Sequence, residues 1–214
     1  MTATIVLAGG DPVTGPDTTS LPREAYVVAA DSGLHHARDL GLAVDLVVGD
    51  LDSADPSAVA RATAEGARLE RHPADKGATD LELALDAALR RGADPTIVLG
   101  GAGFDRIDHF MANALLVASS RYAPLHVRWH VKGAVVIPVH DRCEIPGRPG
   151  DIVTLLAVGG PAEGVTTEGL RWALAGERLE PGSTRGVSNE LTCERASVSI
   201  SAGTLLVIGV GRVS

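Results

Sequence analysis

The sequence predicts an α/β protein, with an N-terminal domain built on a parallel sheet and a smaller C-terminal antiparallel β-sandwich domain. Three observations predict it. Over the first 125 residues short apolar runs alternate with helix-like segments, the rhythm of βαβ units. After Tyr122 the runs are separated by Gly and Pro turns rather than by helices, the texture of a sandwich. Aromatic residues are only 3% of a chain that is 45% hydrophobic, so its cores are Ala, Val, Leu and Ile, which suit parallel strands covered by small-residue helices.

Candidate parallel strands are Thr4 to Ala8, Ala25 to Ala30, Asp45 to Val48 and Thr96 to Leu99. The helices between them carry readable ends. Gly41 closes one that begins near Leu34, and Asp55 before Pro56 opens one that Gly66 closes. Thr79 with Glu82 three residues later forms a capping box. The helix it opens sets Leu81, Leu85, Ala88 and Leu89 on one face, carries Arg90 and Arg91 in its last turn and stops at Gly92. Later runs, Val127 to Val131, Val135 to Val139, Ile152 to Ala157, Val198 to Ile200 and Leu205 to Val210, read as short strands. The division into domains is expected near residue 140, giving 1–139 and 140–214.

Charge and composition narrow the function. A net charge of −8 without a cluster of Lys and Arg excludes a nucleic-acid surface, because phosphate binding by counterion release needs such clusters. No apolar run reaches the roughly 18 residues of a membrane span. The segment from Met1 to Gly10 has no basic leader and reads as a strand, so a cytoplasmic location is expected. Cys143 and Cys193 have neither metal-ligand nor disulfide-framework spacing and read as reduced thiols. An acidic protein can still bind an anionic nucleotide where a metal and a few local donors reverse the potential.

In open α/β sheets ligands bind beyond the carboxyl ends of the strands. The second strand runs into Asp31-Ser32-Gly33, the third into Gly49-Asp50-Leu51-Asp52-Ser53, and the fourth into Gly100-Gly101-Ala102-Gly103. Asp50 and Asp52, two apart at a strand end, can offer hard oxygen ligands to one magnesium ion, although an Asp at such a place also serves as a helix cap. Asp80 sits in the first turn of the capped helix, where the helix dipole alone accounts for a carboxylate. Lys76, one of two lysines in the chain, lies beside Thr79 and Asp80. Arg106, Asp108 and His109 open a helix carrying Asn113; Arg106 can grip phosphate in a fork. His126 and His130 read as ordinary packing or surface residues. The chain contains no G-x-x-x-x-G-K-[ST], so it is not a P-loop enzyme.

In order, Ala30-Asp31-Ser32-Gly33, Gly49-Asp50-Leu51-Asp52-Ser53, Asp75-Lys76 with Thr79-Asp80-Leu81-Glu82, and Arg106-Ile107-Asp108-His109 with Asn113 resemble thiamine pyrophosphokinase. Gly169-Leu170-Arg171-Trp172-Ala173-Leu174 followed by Gly186-Val187-Ser188-Asn189-Glu190 is similar to that family's thiamine-binding segment. Two departures stand out: Gly77 where the family usually has an acidic residue, and Phe104-Asp105 where it usually has a glycine pair.

The resemblance implies transfer of the pyrophosphoryl group of ATP to thiamine, giving thiamine diphosphate and AMP, by a homodimer with magnesium and with active sites between subunits. Carried over by motif, Asp50, Asp52 and Asp80 hold the metal, and these with Arg106 are the catalytic set. Lys76 and Arg106 neutralise the triphosphate, and Asp31, Thr79, Gly101, Asp108, His109 and Asn113 complete the nucleotide site. Trp172, Ser188 and Asn189 take thiamine: an indole stacks on a flat cation and the two polar residues meet its aminopyrimidine edge. Two rival readings are a diphosphokinase of another heterocyclic alcohol, such as a hydroxymethylpterin, and a ligand-binding relative without turnover. The C-terminal motif opposes the first, and the retained carboxylates oppose the second.

Overall fold

The computed structural model describes residues 2–13, 21–22, 24–103 and 106–210; Phe104 and Asp105 lie outside the described residues. The chain divides into two compact units, one of Met1–Leu116 with Pro124–Lys132 and one of Val117–Ala123 with Gly133–Ser214.

The first unit follows the βαβ rhythm in the order β1 (Thr4–Ala8), β2 (Tyr26–Ala30), α1 (Gly33–Asp39), β3 (Leu46–Gly49), α2 (Pro56–Ala64), β4 (Arg68–Arg71), α3 (Asp80–Arg91), β5 (Thr96–Gly100), α4 (Ile107–Val117) and β6 (Arg128–Val131). Its strands are parallel in the order β6-β5-β1-β2-β3-β4. The chain moves outward from β1 to β4 on one side, then returns to place β5 on the other side of β1. That reversal makes the ends of β1 and β5 the switch point where such sheets bind ligands. The central strands are apolar on both faces, with Ile5, Val6, Leu7, Val28, Ala29, Val47, Val48, Val98 and Leu99 removed from solvent.

Helix ends follow local chemistry. Asp55 caps α2, its Oδ1 accepting the Ser57 N–H at 2.9 Å, and Pro56 takes the first helical position where no N–H is needed. Thr79 Oγ1 accepts the Glu82 N–H at 3.3 Å to cap α3, and Gly92 ends it at φ +70°. The buried face of α3 is Leu81, Ala84, Leu85, Ala87 and Ala88; Leu89, expected on that face, is only half-buried. β4, Arg68-Leu69-Glu70-Arg71, is the strand that sequence reading misses. It is a charged edge strand held to β3 by backbone pairing, so it carries no apolar run to detect.

The second unit holds two antiparallel sheets. One runs β12 (Asn189–Glu190), β9 (Ile152–Ala157), β14 (Leu205–Val210) and β7 (Ala134–Val139). The other runs β11 (Ala175–Leu179), β10 (Ala162–Glu168), β13 (Arg195–Ser199) and β8 (Arg142–Pro146). Val153, Leu155, Leu205 and Val207 from the first sheet and Ile145, Val165, Leu179 and Val198 from the second share one core. This is the sandwich. Beta8, β10 and β11 alternate Thr, Glu and Arg with their core residues, which hides them from a search for apolar runs.

Candidate active site

The ends of β1, β2, β3 and β5 and the start of α3 and α4 enclose a cleft of about 340 Å³ in the first unit. Asp31, immediately after β2, adopts φ +45°, a left-handed conformation that Asp tolerates better than most residues. Asp50 follows β3, and Leu51 at φ +65° turns the chain so that Asp52 N–H donates to Asp50 Oδ1 at 3.2 Å. Carboxylate oxygens of Asp31, Asp50 and Asp52 lie within 4.8 Å of one another. Residues 19 to 21 positions apart in sequence are thus brought to one point by two neighbouring parallel strands.

Asp80, in the first turn of α3, joins them through Lys76. The Lys76 ammonium donates to Asp80 Oδ1 at 2.6 Å and to Asp50 Oδ2 at 2.8 Å. Gly49, at φ +144°, is required here: a Cβ on it would stand 2.9 Å from Asp80 Oδ1 and 3.2 Å from Asp31 Cβ. The electrostatics follow from the crowding. Burial holds the Asp31 carboxyl above the usual carboxylate range, with the charges of Asp80, Asp50 and Asp52 pushing the same way against a stabilising Ser32 N–H. The Lys76 hydrogen bond holds Asp50 below that range. Burial alone lowers Lys76, but its bonds to Asp50 and Asp80 outweigh this and keep the ammonium above its ordinary value. The Asp31 Oδ1 atom is buried without a hydrogen-bond partner.

Arg106 and His109 line the opposite wall. Arg106 forks onto Asp108, Nε to Oδ1 at 3.1 Å and Nη2 to Oδ2 at 3.0 Å, and this pairing brings Asp108 down to about 2. Asn113 is buried and donates to the Gly101 carbonyl at 2.8 Å, while the Gly101 N–H donates to the Gly9 carbonyl at 2.8 Å. Asn113 and Gly101 therefore shape the wall by holding each other and β1's loop, and Trp129 does the same through Gly100 at 2.7 Å. Thr79 lines the cleft beside its capping role.

Sequence reading overlooks Gly9 and Gly10 and gives Ser32 and Ser53, which it names within the motifs, no role of their own; all four line this cleft. The signal for the first two was present. Gly9-Gly10 directly follows β1, the same strand-end position that drew attention to β2, β3 and β5. A Cβ on Gly10, at φ +111°, would run into the Ala102 carbonyl.

The second unit presents Trp172, 47% exposed. Its backbone is clamped by buried Asn189, which accepts the Trp172 N–H at 3.0 Å and donates to the Trp172 carbonyl at 2.8 Å. Ser188, at φ +55°, is exposed and donates its N–H to Thr154 Oγ1 at 3.1 Å. Arg171 stands 4.9 Å over the Trp172 ring and pairs with Glu190 at 2.9 Å. Asn189 thus fixes the backbone that carries the indole, with its own amide occupied by the clamp.

Two family models match the chain, that of the thiamin pyrophosphokinase catalytic domain over residues 19–127 and that of the thiamin pyrophosphokinase vitamin B1 binding domain over residues 141–205. The chain belongs to the thiamin pyrophosphokinase family. It is 27% identical over 212 residues to the thiamine pyrophosphokinase of Bacillus subtilis (strain 168), with 95% of this chain and 96% of that protein covered. The crystal structure of thiamine pyrophosphokinase from Bacillus subtilis superposes with a TM-score of 0.85 at 25% identity, over 100% of both chains. That of a thiamin pyrophosphokinase family protein from Enterococcus faecalis gives 0.81 at 27%, over 99% of this chain and 100% of the other. Yeast thiamin pyrophosphokinase shares the fold at 14% identity, with a TM-score of 0.75 over 98% of this chain and 86% of its own. The carboxylates of the cleft, with Lys76, Arg106, His109 and Asn113, lie within the residues matched by the catalytic-domain model, while its Gly9-Gly10 edge precedes them; Trp172 and Asn189 lie within those matched by the B1-binding model.

Proposed function

We propose that the acidic cleft is where this diphosphotransferase binds ATP with magnesium, and that Trp172 supplies the platform for thiamine. The observation that carries the reading is the meeting of Asp31, Asp50 and Asp52 within 4.8 Å at the carboxyl ends of β2 and β3, in the cleft that the ends of β1 and β5 also line, beside Lys76, Asp80 and Arg106. The donor set fits magnesium. Every candidate ligand is a carboxylate oxygen, Asp31 Oδ1 is buried and unpartnered, and Gly49 leaves no Cβ between the carboxylates. Asp50, Asp52 and Asp80 hold the ion in this reading, with Asp31 as a further oxygen donor; bound there, magnesium supplies neutralisation of the polyphosphate charge.

The reaction joins the hydroxyethyl oxygen of thiamine to the β-phosphorus of ATP and breaks the bond from that phosphorus to the oxygen bridging it to the α-phosphorus. The electron pair leaves on AMP, and the hydroxyl proton is released to acceptors in the cleft. The chain's task is alignment and charge stabilisation rather than covalent catalysis. Lys76 and Arg106 face the triphosphate, Thr79, Asp108 and His109 border it, and Asn113 with Gly101 fixes the wall behind it. Residues 1–139 carry the nucleotide and metal, and residues 140–214 carry thiamine binding and dimerisation. Exposed Ile107, Met111 and Leu115, spaced by four along α4, add an apolar face on residues 1–139 that a homodimer would cover in addition to the 140–214 domain. A cytoplasmic location accords with Cys143 and Cys193 not being joined in a disulfide and with an ATP substrate.

Trp172 gives the experiment. Trp172→Ala is expected to weaken thiamine binding by about 1–2 kcal/mol, the loss of a cation–π and stacking partner, while leaving ATP affinity unchanged. Titration calorimetry of each ligand checks this, and equal losses for both ligands contradict it.

A further inference from the structure

We propose that Lys76 is a built-in counter-cation that occupies the metal site's carboxylates until nucleotide arrives, and thereby couples metal binding to nucleotide binding. The inference rests on the metal assignment above and extends it to the order in which the site fills.

The carboxylates of Asp31, Asp50 and Asp80 line one end of the cleft, and that of Asp52 lies within 4.8 Å of the first two. Like charges this close repel strongly where solvent is partly excluded, so a cation is needed to hold them together. Lys76 provides it. Its ammonium bridges Asp80 at 2.6 Å and Asp50 at 2.8 Å, and its side chain is only 11% exposed, far from the solvated geometry usual for lysine. Among the described residues Arg106 also lines this cleft, its guanidinium forked onto Asp108 with its side chain 53% exposed. Asp50 and Asp80 are therefore bound to an ammonium at the place where the metal reading needs them as ligands.

The consequence follows from charge. A divalent ion entering alone must either displace the ammonium from Asp50 and Asp80 or sit within a few ångströms of it, and both weaken its binding. A polyphosphate entering with the ion offers Lys76 a new set of anionic oxygens, within reach of a flexible four-carbon stem on the loop before α3. Metal and nucleotide then bind with positive coupling, and by linkage each strengthens the other by the same factor.

The test uses manganese as the probe ion and α,β-methylene-ATP, which cannot be cleaved at the reacting bond, as the probe nucleotide. Free manganese is read by electron paramagnetic resonance, and nucleotide affinity by calorimetry with and without manganese. In Lys76→Met, nucleotide-free protein is expected to bind manganese about ten-fold more tightly than wild type. The gain in nucleotide affinity on adding manganese should shrink by a similar factor. Lys76→Gln, which keeps an amide able to bond the carboxylates, is expected to shift both quantities in the same direction. If both variants bind manganese no more tightly than wild type, while Asp50→Asn weakens it, the counter-cation role is overturned and the metal site stands. If Asp50→Asn leaves manganese binding unchanged, the metal assignment falls and the inference falls with it.

Discussion

Asp50→Asn and Asp52→Asn are each expected to lower turnover by about 100-fold or more while leaving the fold intact. The reasoning is electrostatic. Phosphoryl-type transfer spreads negative charge over several oxygens, and the protein contributes mainly by fixing the groups that neutralise it. Asn keeps the size and shape of Asp but removes a full charge from the set that meets within 4.8 Å. The effect on stability is small because both side chains lie outside the apolar cores, Asp52 exposed and Asp50 half-buried beside Lys76. Asp50→Asn also frees Lys76 from one partner, yet Asp80 still holds the ammonium. Steady-state assay together with a thermal melt checks the pair of outcomes. Near-normal turnover in either variant contradicts the metal assignment, and a collapsed melt would show instead that the carboxylate is structural.

Gly33→Ala is expected to be among the most damaging glycine substitutions in the first unit. A Cβ on Gly33 would fall on the carbonyl oxygen of Leu7 and stand 2.6 Å from its carbonyl carbon and 3.2 Å from the Ala8 nitrogen. Those atoms belong to β1, which is paired on both sides, with β2 and with β5, so its backbone has nowhere to retreat. Overpacking against movable side chains costs about 1–3 kcal/mol; against a central strand's backbone the loss should reach about 3 kcal/mol or more. For a chain of this size that corresponds to a fall in Tm of on the order of 10 °C. Gly9→Ala is the comparison. Its Cβ would meet the Ser32 hydroxyl, the end of a side chain that can rotate away, so its melt should move far less. Scanning calorimetry of the two variants separates them, and similar melts would mean that α1 shifts freely against β1.

What the sequence disclosed and what it hid divide along physical lines. Beta1, β2, β3 and β5 were legible because a strand buried on both faces must be a continuous apolar run, and Thr4–Ala8 or Thr96–Gly100 admits few other readings. The capped helices α2 and α3 were legible because Asp55-Pro56 and Thr79 with Glu82 act on backbone groups within three residues. Beta4 was not, because its pairing uses main-chain atoms and its side chains face solvent. The convergence of Asp31, Asp50 and Asp52 was inferable from strand ends alone, since parallel strands put their carboxyl ends on one edge; Asp80 was located by the capping box that opens α3. The same rule applied to β1 finds Gly9-Gly10. Particular partnerships were beyond reach: that Lys76 would bridge Asp50 and Asp80, that Asn113 would hold the Gly101 carbonyl, and that Asn189 would clamp Trp172 all depend on side-chain directions that spacing does not encode.

The most direct measurement is of the products. Purified protein incubated with ATP, magnesium and thiamine, then resolved by anion-exchange chromatography, is expected to yield AMP and thiamine diphosphate in equal amounts, with none formed when the divalent ion is chelated. Formation of ADP with thiamine monophosphate, or undiminished turnover in the presence of chelator, would contradict the account of a metal-bridged pyrophosphoryl transfer in this cleft.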